Sequence, residues 1–458
     1  PAGANASSSL PVMLFFHGGS YVLGAASFLP YEATERIGTA PEKVIIVTAN
    51  YRLQALGYLG GELLRSELYP GSPEKTTGNW GFLDQREAMR WVHRNIARFG
   101  GDPRAVTIFG ESAGAGSVSA HLVSEGSWPF FARVAAESGP TYSTWVAQSA
   151  ENAEKSLASF KALVGCAGAA NGTANDTLAC LRNVPVATVL AAGRHGSGTP
   201  GGVGLINWCP TADGIALKGQ PRDLLIAGRV NTSHQVLLGT NKDEGSAFVH
   251  PKGVAMTEAG YAGFMEGHFG TKLGAEIVAR YPSADYSSPF WAAVDAFGDV
   301  AMTCPARETA RLLSAAGVDV YLYFLVHELN VLRLLGKHGD LGVFHGSELF
   351  FVFDKSIGLV GPDEHTLAAN FGRWWTTFAA TGSPVAADAA GQAEWPRYSA
   401  KNDTLLRIDA GSASAPYRGL KQAACDWWLQ GHYPSDNFSL PIGGLSPLAE
   451  VAGKLLLF

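Results

Sequence analysis

Gly110-Glu111-Ser112-Ala113-Gly114 stands directly after a short apolar run, residues 105–109 (AVTIF), and directly before a helical run over residues 115–122. In a chain with 55 glycines, a bare G-x-S-x-G is usually an ordinary turn. Between a strand and a helix it is the pattern of a nucleophile elbow, in which a sharp turn lifts a serine above the edge of a sheet. The two glycines suit that turn, because neighbouring backbones come so close that a Cβ would collide. The following helix turns its N-terminal amides toward developing negative charge. Ser112 is therefore the candidate nucleophile.

The surrounding text supplies the sheet such an elbow needs. Residues 11–16 (PVMLFF) and 44–48 (VIIVT) are short, continuously apolar and rich in strand formers, as buried parallel strands should be. Residues 235–239 (QVLLG) and 320–325 (VYLYFL) read the same way. Residues 84–99 carry Ala88, Trp91, Val92 and Ile96 at helical spacing, with Asp84 suited to the start and Asp102-Pro103 breaking the helix before the next strand. This alternation predicts an α/β fold built on a mainly parallel sheet. The Gly/Ala-rich stretch 128–221 is read as excursions from that sheet, and residues 448–458 as a docking helix.

A serine needs a base, and the base needs an orienting carboxylate; in this architecture they follow in the order Ser, Asp/Glu, His. After QVLLG comes Thr240-Asn241-Lys242-Asp243-Glu244, where Asp243 and Glu244 compete for the acid. Seven histidines follow: His250, His268, His327, His338, His345, His365 and His432. Spacing does not choose among them, although His345 lies in a Gly-flanked loop. His17-Gly18-Gly19-Ser20, just after the PVMLFF strand, offers side-chain-free amides for a second wall of an oxyanion hole.

Composition bounds the alternatives. With 458 residues, 47% of them hydrophobic and 16% charged, the chain can bury a large core. A net charge of −6 lacks the basic footprint of a nucleic-acid binder. There is no apolar run long enough for a membrane span, and no repeat. Five cysteines without Cys-x-x-Cys spacing argue against a zinc site. Sequons at Asn5, Asn171, Asn175, Asn231, Asn402 and Asn437 suit a glycosylated, secreted protein. Residues 1–9 have no signal-peptide character, and the chain enters a strand almost at once, as if partway into a domain.

Taken in order, PVMLFFHGGSY, NYRLQALGYL, the long block from Gly78 to Val118, AAESGP, GTNKDEGS, CPARETARLL and VFHGSELFFVF resemble the type-B carboxylesterase/cholinesterase family of α/β-hydrolases, which includes fungal lipases. The resemblance runs over nearly the whole chain and implies one α/β-hydrolase domain over residues 1–458. It implies Ser112 as nucleophile, Glu244 rather than Asp243 as acid, and His345 as base. Oxyanion donors map to the amides of Gly19, Ser20 and Ala113; Ser20 replaces a glycine common in the family. Trp145 matches a substrate-pocket position, with plain core filler as the alternative. Glu111 is expected to tune His345 or order water, or else to serve as a structural hydrogen-bond partner.

The resemblance also pairs Cys166 with Cys180 and Cys304 with Cys425, leaving Cys209 free, which favours a secreted or lumenal protein. The implied activity is hydrolysis of a small-molecule or lipid carboxylic ester by a serine esterase through an acyl-enzyme, with no metal or organic cofactor. Its rivals are a catalytically silent binding or scaffold domain and a long-chain lipase. The family's opening strands have no counterpart ahead of the His-Gly-Gly strand, so they are expected to have been removed or to come from a second chain.

Overall fold

The computed structural model describes residues 1, 3–40, 42–65, 75–167, 173–193, 208–249, 256–334, 341–355, 358–385, 393–410 and 413–434. Eight strands form the main sheet: β1 (Leu10–Phe16), β2 (Ile45–Ala49), β3 (Gly101–Glu111), β4 (Arg133–Glu137), β5 (Gln235–Asn241), β6 (Asp319–Leu325), β7 (Thr404–Ile408) and β8 (Ala415–Arg418). Their spatial order is β8-β7-β6-β5-β4-β3-β1-β2. Every pair is parallel except the final β7–β8 hairpin. A large, mostly parallel sheet flanked by helices is the α/β-hydrolase architecture expected from the sequence.

Period-two alternation divides the apolar residues between two cores. Val12, Leu14, Phe16, Val106, Ile108, Val134, Val236 and Leu238 face one. Met13, Phe15, Phe109, Ala135 and Leu237 face the other, where Trp374 and Trp375 of a long helix (Pro362–Thr381) cover the sheet. Both faces are buried, which is why these strands read as continuous apolar runs.

Three local readings change. Residues 133–137 (RVAAE) lie within the stretch read as excursions, yet they form β4, the strand between β3 and β5. Charged ends and small central residues hide the strand signal. The helix expected from Asp84 is α1 (Trp80–Asn95), which starts one turn earlier; Asp84 instead receives Arg52 Nε at 2.7 Å. A 3₁₀ turn (Ile96–Phe99) and left-handed Gly100 end the helix before Asp102-Pro103 is reached. Pro103 then falls where the β1–β3 register shifts, a place that tolerates its missing donor.

Disulfides join Cys166 to Cys180 and Cys304 to Cys425, and Cys209 is free and buried. The second ties the short helix Gln422–Trp427 to the body. Asn5, Asn175 and Asn402 are exposed and Asn231 is half-exposed. Asn171, Asn437, His250, His338 and the expected helix over 448–458 lie outside the described residues. No helix among the described residues is long and apolar enough to cross a membrane.

Candidate active site

The elbow is built from backbone strain and missing side chains. Ser112, between the end of β3 and the start of α2 (Ala113–Leu122), has φ +57° and ψ −124°. For a non-glycine residue such a conformation persists only where its surroundings enforce it. Here the Ser112 amide donates to Glu137 O at 2.9 Å, and the Gly116 amide donates to Ser112 O at 2.8 Å. A Cβ on Gly114 would stand 1.9 Å from Phe16 O, so β1 and α2 can meet only through a glycine.

The candidate acid and base come from loops about a hundred residues apart. Glu244 follows the end of β5, and its Oε1 accepts from Asn241 N (2.7 Å) and from the Ser138 hydroxyl (2.5 Å). Its Oε2 lies 2.5 Å from His345 Nδ1. A carboxylate only accepts, so this contact places the imidazole proton on Nδ1 and leaves Nε2 bare when the ring is neutral. Asp243, the competing acid, points elsewhere: its Oδ2 receives Val343 N at 2.8 Å and steadies the His345 loop.

His345 Nε2 lies 3.2 Å from Glu111 Oε1 and makes no hydrogen bond among the described residues, Ser112 included. Burial works against the imidazolium, but the carboxylates of Glu111 and Glu244 outweigh it and raise the His345 pKa above its ordinary value. Burial pushes the Glu111 carboxyl up to about 7, with His345 pulling down and Glu244 pushing further up. Ser112, Glu244 and His345 are all more than nine-tenths buried.

The match to the carboxylesterase family covers residues 1–428. The chain belongs to the carboxylesterase family. Mouse (Mus musculus) cholinesterase is 31% identical over 435 residues, spanning 91% of this chain and 69% of that protein. Family membership supports carboxylic-ester hydrolysis by a serine hydrolase in general; neither match supports the expectation of a second chain.

In this carboxylesterase-family chain, Gly19, Ser20 and Tyr21 all have left-handed φ, at +105°, +54° and +60°. The tight turn they form leaves the amides of Gly19 and Ser20, like that of Ala113, without a backbone acceptor among the described residues. Trp145 is buried; its Nε1 donates to Ala301 O at 3.0 Å, and its ring lies against Gly116, one helical turn beyond Ser112. Among the described residues, no group of three or more His, Cys, Asp or Glu is arranged to hold a metal ion.

Sequence reasoning passed over several members of the site. Ser138, directly after β4, lies in the AAESGP segment that carries the resemblance, but was given no role there. Glu137 is opposite Glu111 in the β3–β4 register. It is fully buried and accepts from Trp375 Nε1 at 2.8 Å, and its Oε2 has no partner. Burial pushes its carboxyl up to about 8. Glu348, three residues after His345, accepts from Asn241 Nδ2; burial, then Glu111, Glu137 and Glu244, raise it well above the carboxylate range. Burial and mutual repulsion among these carboxyls favour the protonated forms of Glu137 and Glu348.

Proposed function

We propose that this chain hydrolyses carboxylic esters through a Ser112–His345–Glu244 triad and a covalent acyl-enzyme. Ser112 Oγ attacks the ester carbonyl while His345 Nε2 takes its proton, and Glu244 holds the tautomer and steadies the imidazolium. The amides of Gly19, Ser20 and Ala113 receive the oxyanion, each donor worth on the order of 3 kcal/mol. His345 returns the proton to the departing alkoxide, and the alcohol leaves. Water, deprotonated by His345, then attacks the acyl-Ser112 ester; the acyl–Oγ bond breaks, His345 returns the proton to Ser112 Oγ, and the acid leaves. Substrate binding closes the Ser112–His345 contact, which is commonly loose in unliganded hydrolases.

The observation that carries this reading is the Glu244–His345 hydrogen bond at 2.5 Å, with His345 Nε2 3.2 Å from Glu111, the residue before a serine held at φ +57° between a strand and a helix. Asp243 offers no such contact. The single catalytic unit is taken to span the chain. Two disulfides and exposed sequons favour a secreted or lumenal location.

The test is hydrolysis of short- and long-chain chromogenic esters, with Ser112→Ala as control. Turnover should fall by about 10⁴-fold or more in the variant. Wild-type-like turnover there overturns the assignment. Absence of turnover in folded wild-type protein favours the silent binding domain, and the chain-length trend separates carboxylesterase from lipase.

A further inference from the structure

We infer that His17 is a positioning residue for the oxyanion hole, holding the Gly18–Gly19 peptide so that its N–H faces the reacting carbonyl. The inference rests on the oxyanion reading above and adds the part that keeps the glycine loop in one orientation.

The argument is one of peptide geometry. A planar trans peptide sets its C=O and N–H on opposite sides. His17 Nδ1 stands 2.8 Å from Gly18 O, and since a carbonyl only accepts, Nδ1 carries the proton. The Gly18 oxygen is thus fixed on the imidazole side, and the Gly19 N–H is turned away from it. Tyr51 does the same for the preceding peptide, its hydroxyl donating to His17 O at 2.6 Å. Gly18 itself lies against the elbow, where an added Cβ would be 3.0 Å from Ser112 Cβ and 2.8 Å from Glu111 O.

The imidazole is fixed in turn. It stacks on Tyr51 with ring centroids 4.5 Å apart and planes 20° from parallel. On another side stands Gly24, whose added Cβ would come 2.4 Å from His17 Nδ1. The ring is 1% exposed. Burial lowers its pKa, with the Gly18 hydrogen bond opposing, so it works as a neutral donor. Two successive glycines have wide conformational freedom. If their shared peptide flipped, a carbonyl oxygen would face the developing oxyanion in place of a donor. A fixed donor on Gly18 O prevents that.

The test separates donation from packing. His17→Phe keeps a ring to stack on Tyr51 and loses the donor. His17→Asn loses the ring but keeps an N–H close to the Nδ1 position. With the full chain and a chromogenic ester, His17→Phe should lower kcat by about ten- to a hundredfold with KM little changed. His17→Asn should recover at least about tenfold of that loss. A His17→Phe enzyme with wild-type kcat, or an Asn variant no better than Phe, overturns the inference, because packing alone predicts that order.

Thermal melts establish that each variant is folded. Should either fail, Tyr51→Phe removes only the hydroxyl on His17 O; it should lower kcat several-fold at constant KM, and an unchanged kcat overturns the clamp. Ser112→Ala is measured alongside: activity surviving in that variant undoes the nucleophile assignment, an outcome distinct from failure of the His17 variants.

Discussion

Glu111 Oε1 lies 3.2 Å from His345 Nε2, so the imidazole sits between two carboxylates, with Glu244 Oε2 at 2.5 Å from Nδ1 on the other side. Only one of them can orient the ring as a base while Nε2 stays free for the serine. Glu244 is held from several sides, by Asn241 N, Ser138 and His345, whereas Glu111 is the residue next to the proposed nucleophile. In the proposed mechanism Glu111 would therefore act electrostatically, favouring the imidazolium formed when Ser112 gives up its proton.

Glu111→Gln tests that part through the pH profile. In the proposed mechanism neutral His345 is the base, so turnover should fall as pH drops through its raised pKa. Removing the Glu111 charge lowers that pKa, and the acid limb should move down by about one pH unit. The kcat at its plateau should fall as well, because the imidazolium loses support. A limb that stays in place shows that Glu111 does not act on His345.

Glu137→Gln should stabilise the protein, and more so at alkaline pH. The folded carboxyl is raised to about 8, above its unfolded value, so the native state holds a proton that the unfolded chain releases. Its contribution to stability is therefore lost as pH rises from the unfolded pKa through the folded one. The variant's advantage should grow between pH 5 and 8 with a slope approaching about 1.4 kcal/mol per unit. Gln keeps an acceptor for Trp375 Nε1. Urea titrations at three pH values check this; a constant difference would show that Glu137 is ionised in the native state.

Ser138→Ala removes one donor to Glu244 and leaves Asn241 N and His345 in place. A hydrogen bond to a charged group is worth about 1.5–3 kcal/mol, so kcat should fall by about tenfold or more with KM nearly constant. The bond also contributes to folding, so the melting temperature should fall by a few degrees. An unchanged kcat in the folded variant would make Ser138 a structural residue only.

Replacing Cys304 and Cys425 together by Ala opens a link between residues 121 apart in sequence. Stability should fall by about 2–5 kcal/mol, read from denaturant unfolding. Peptide mapping of the native protein under non-reducing conditions should recover 304 joined to 425, and 166 joined to 180. Free thiols at these four positions would remove the support for an oxidising compartment.

The elbow was legible from residues 105–122 because its cause is local: an apolar strand, two glycines and a helix start are all adjacent in sequence. The buried strands were legible for a related reason, since both faces of the sheet are covered and leave uninterrupted apolar text. β4 escaped because RVAAE carries charges at both ends. Its Arg133 and Glu137 are accommodated by partners far away, the carbonyl of Ala379 and the indole of Trp375. Asp84 had the right chemistry for a helix start and was used instead by Arg52.

The sequence by itself determined the nucleophile's setting, five of the sheet's strands and the pool of acids and histidines from which a site could be drawn. It left Asp243 against Glu244, and His345 among its rivals, to the family resemblance, because neighbouring residues of like chemistry differ only in where their side chains point. Tertiary structure decided which acid reaches the imidazole, joining residues 101 apart, and it alone buried Glu111, Glu137 and Glu348 together. In sequence those three are ordinary charged letters. Their altered protonation comes from desolvation and mutual repulsion, which exist only once β3, β4 and the His345 loop are packed side by side.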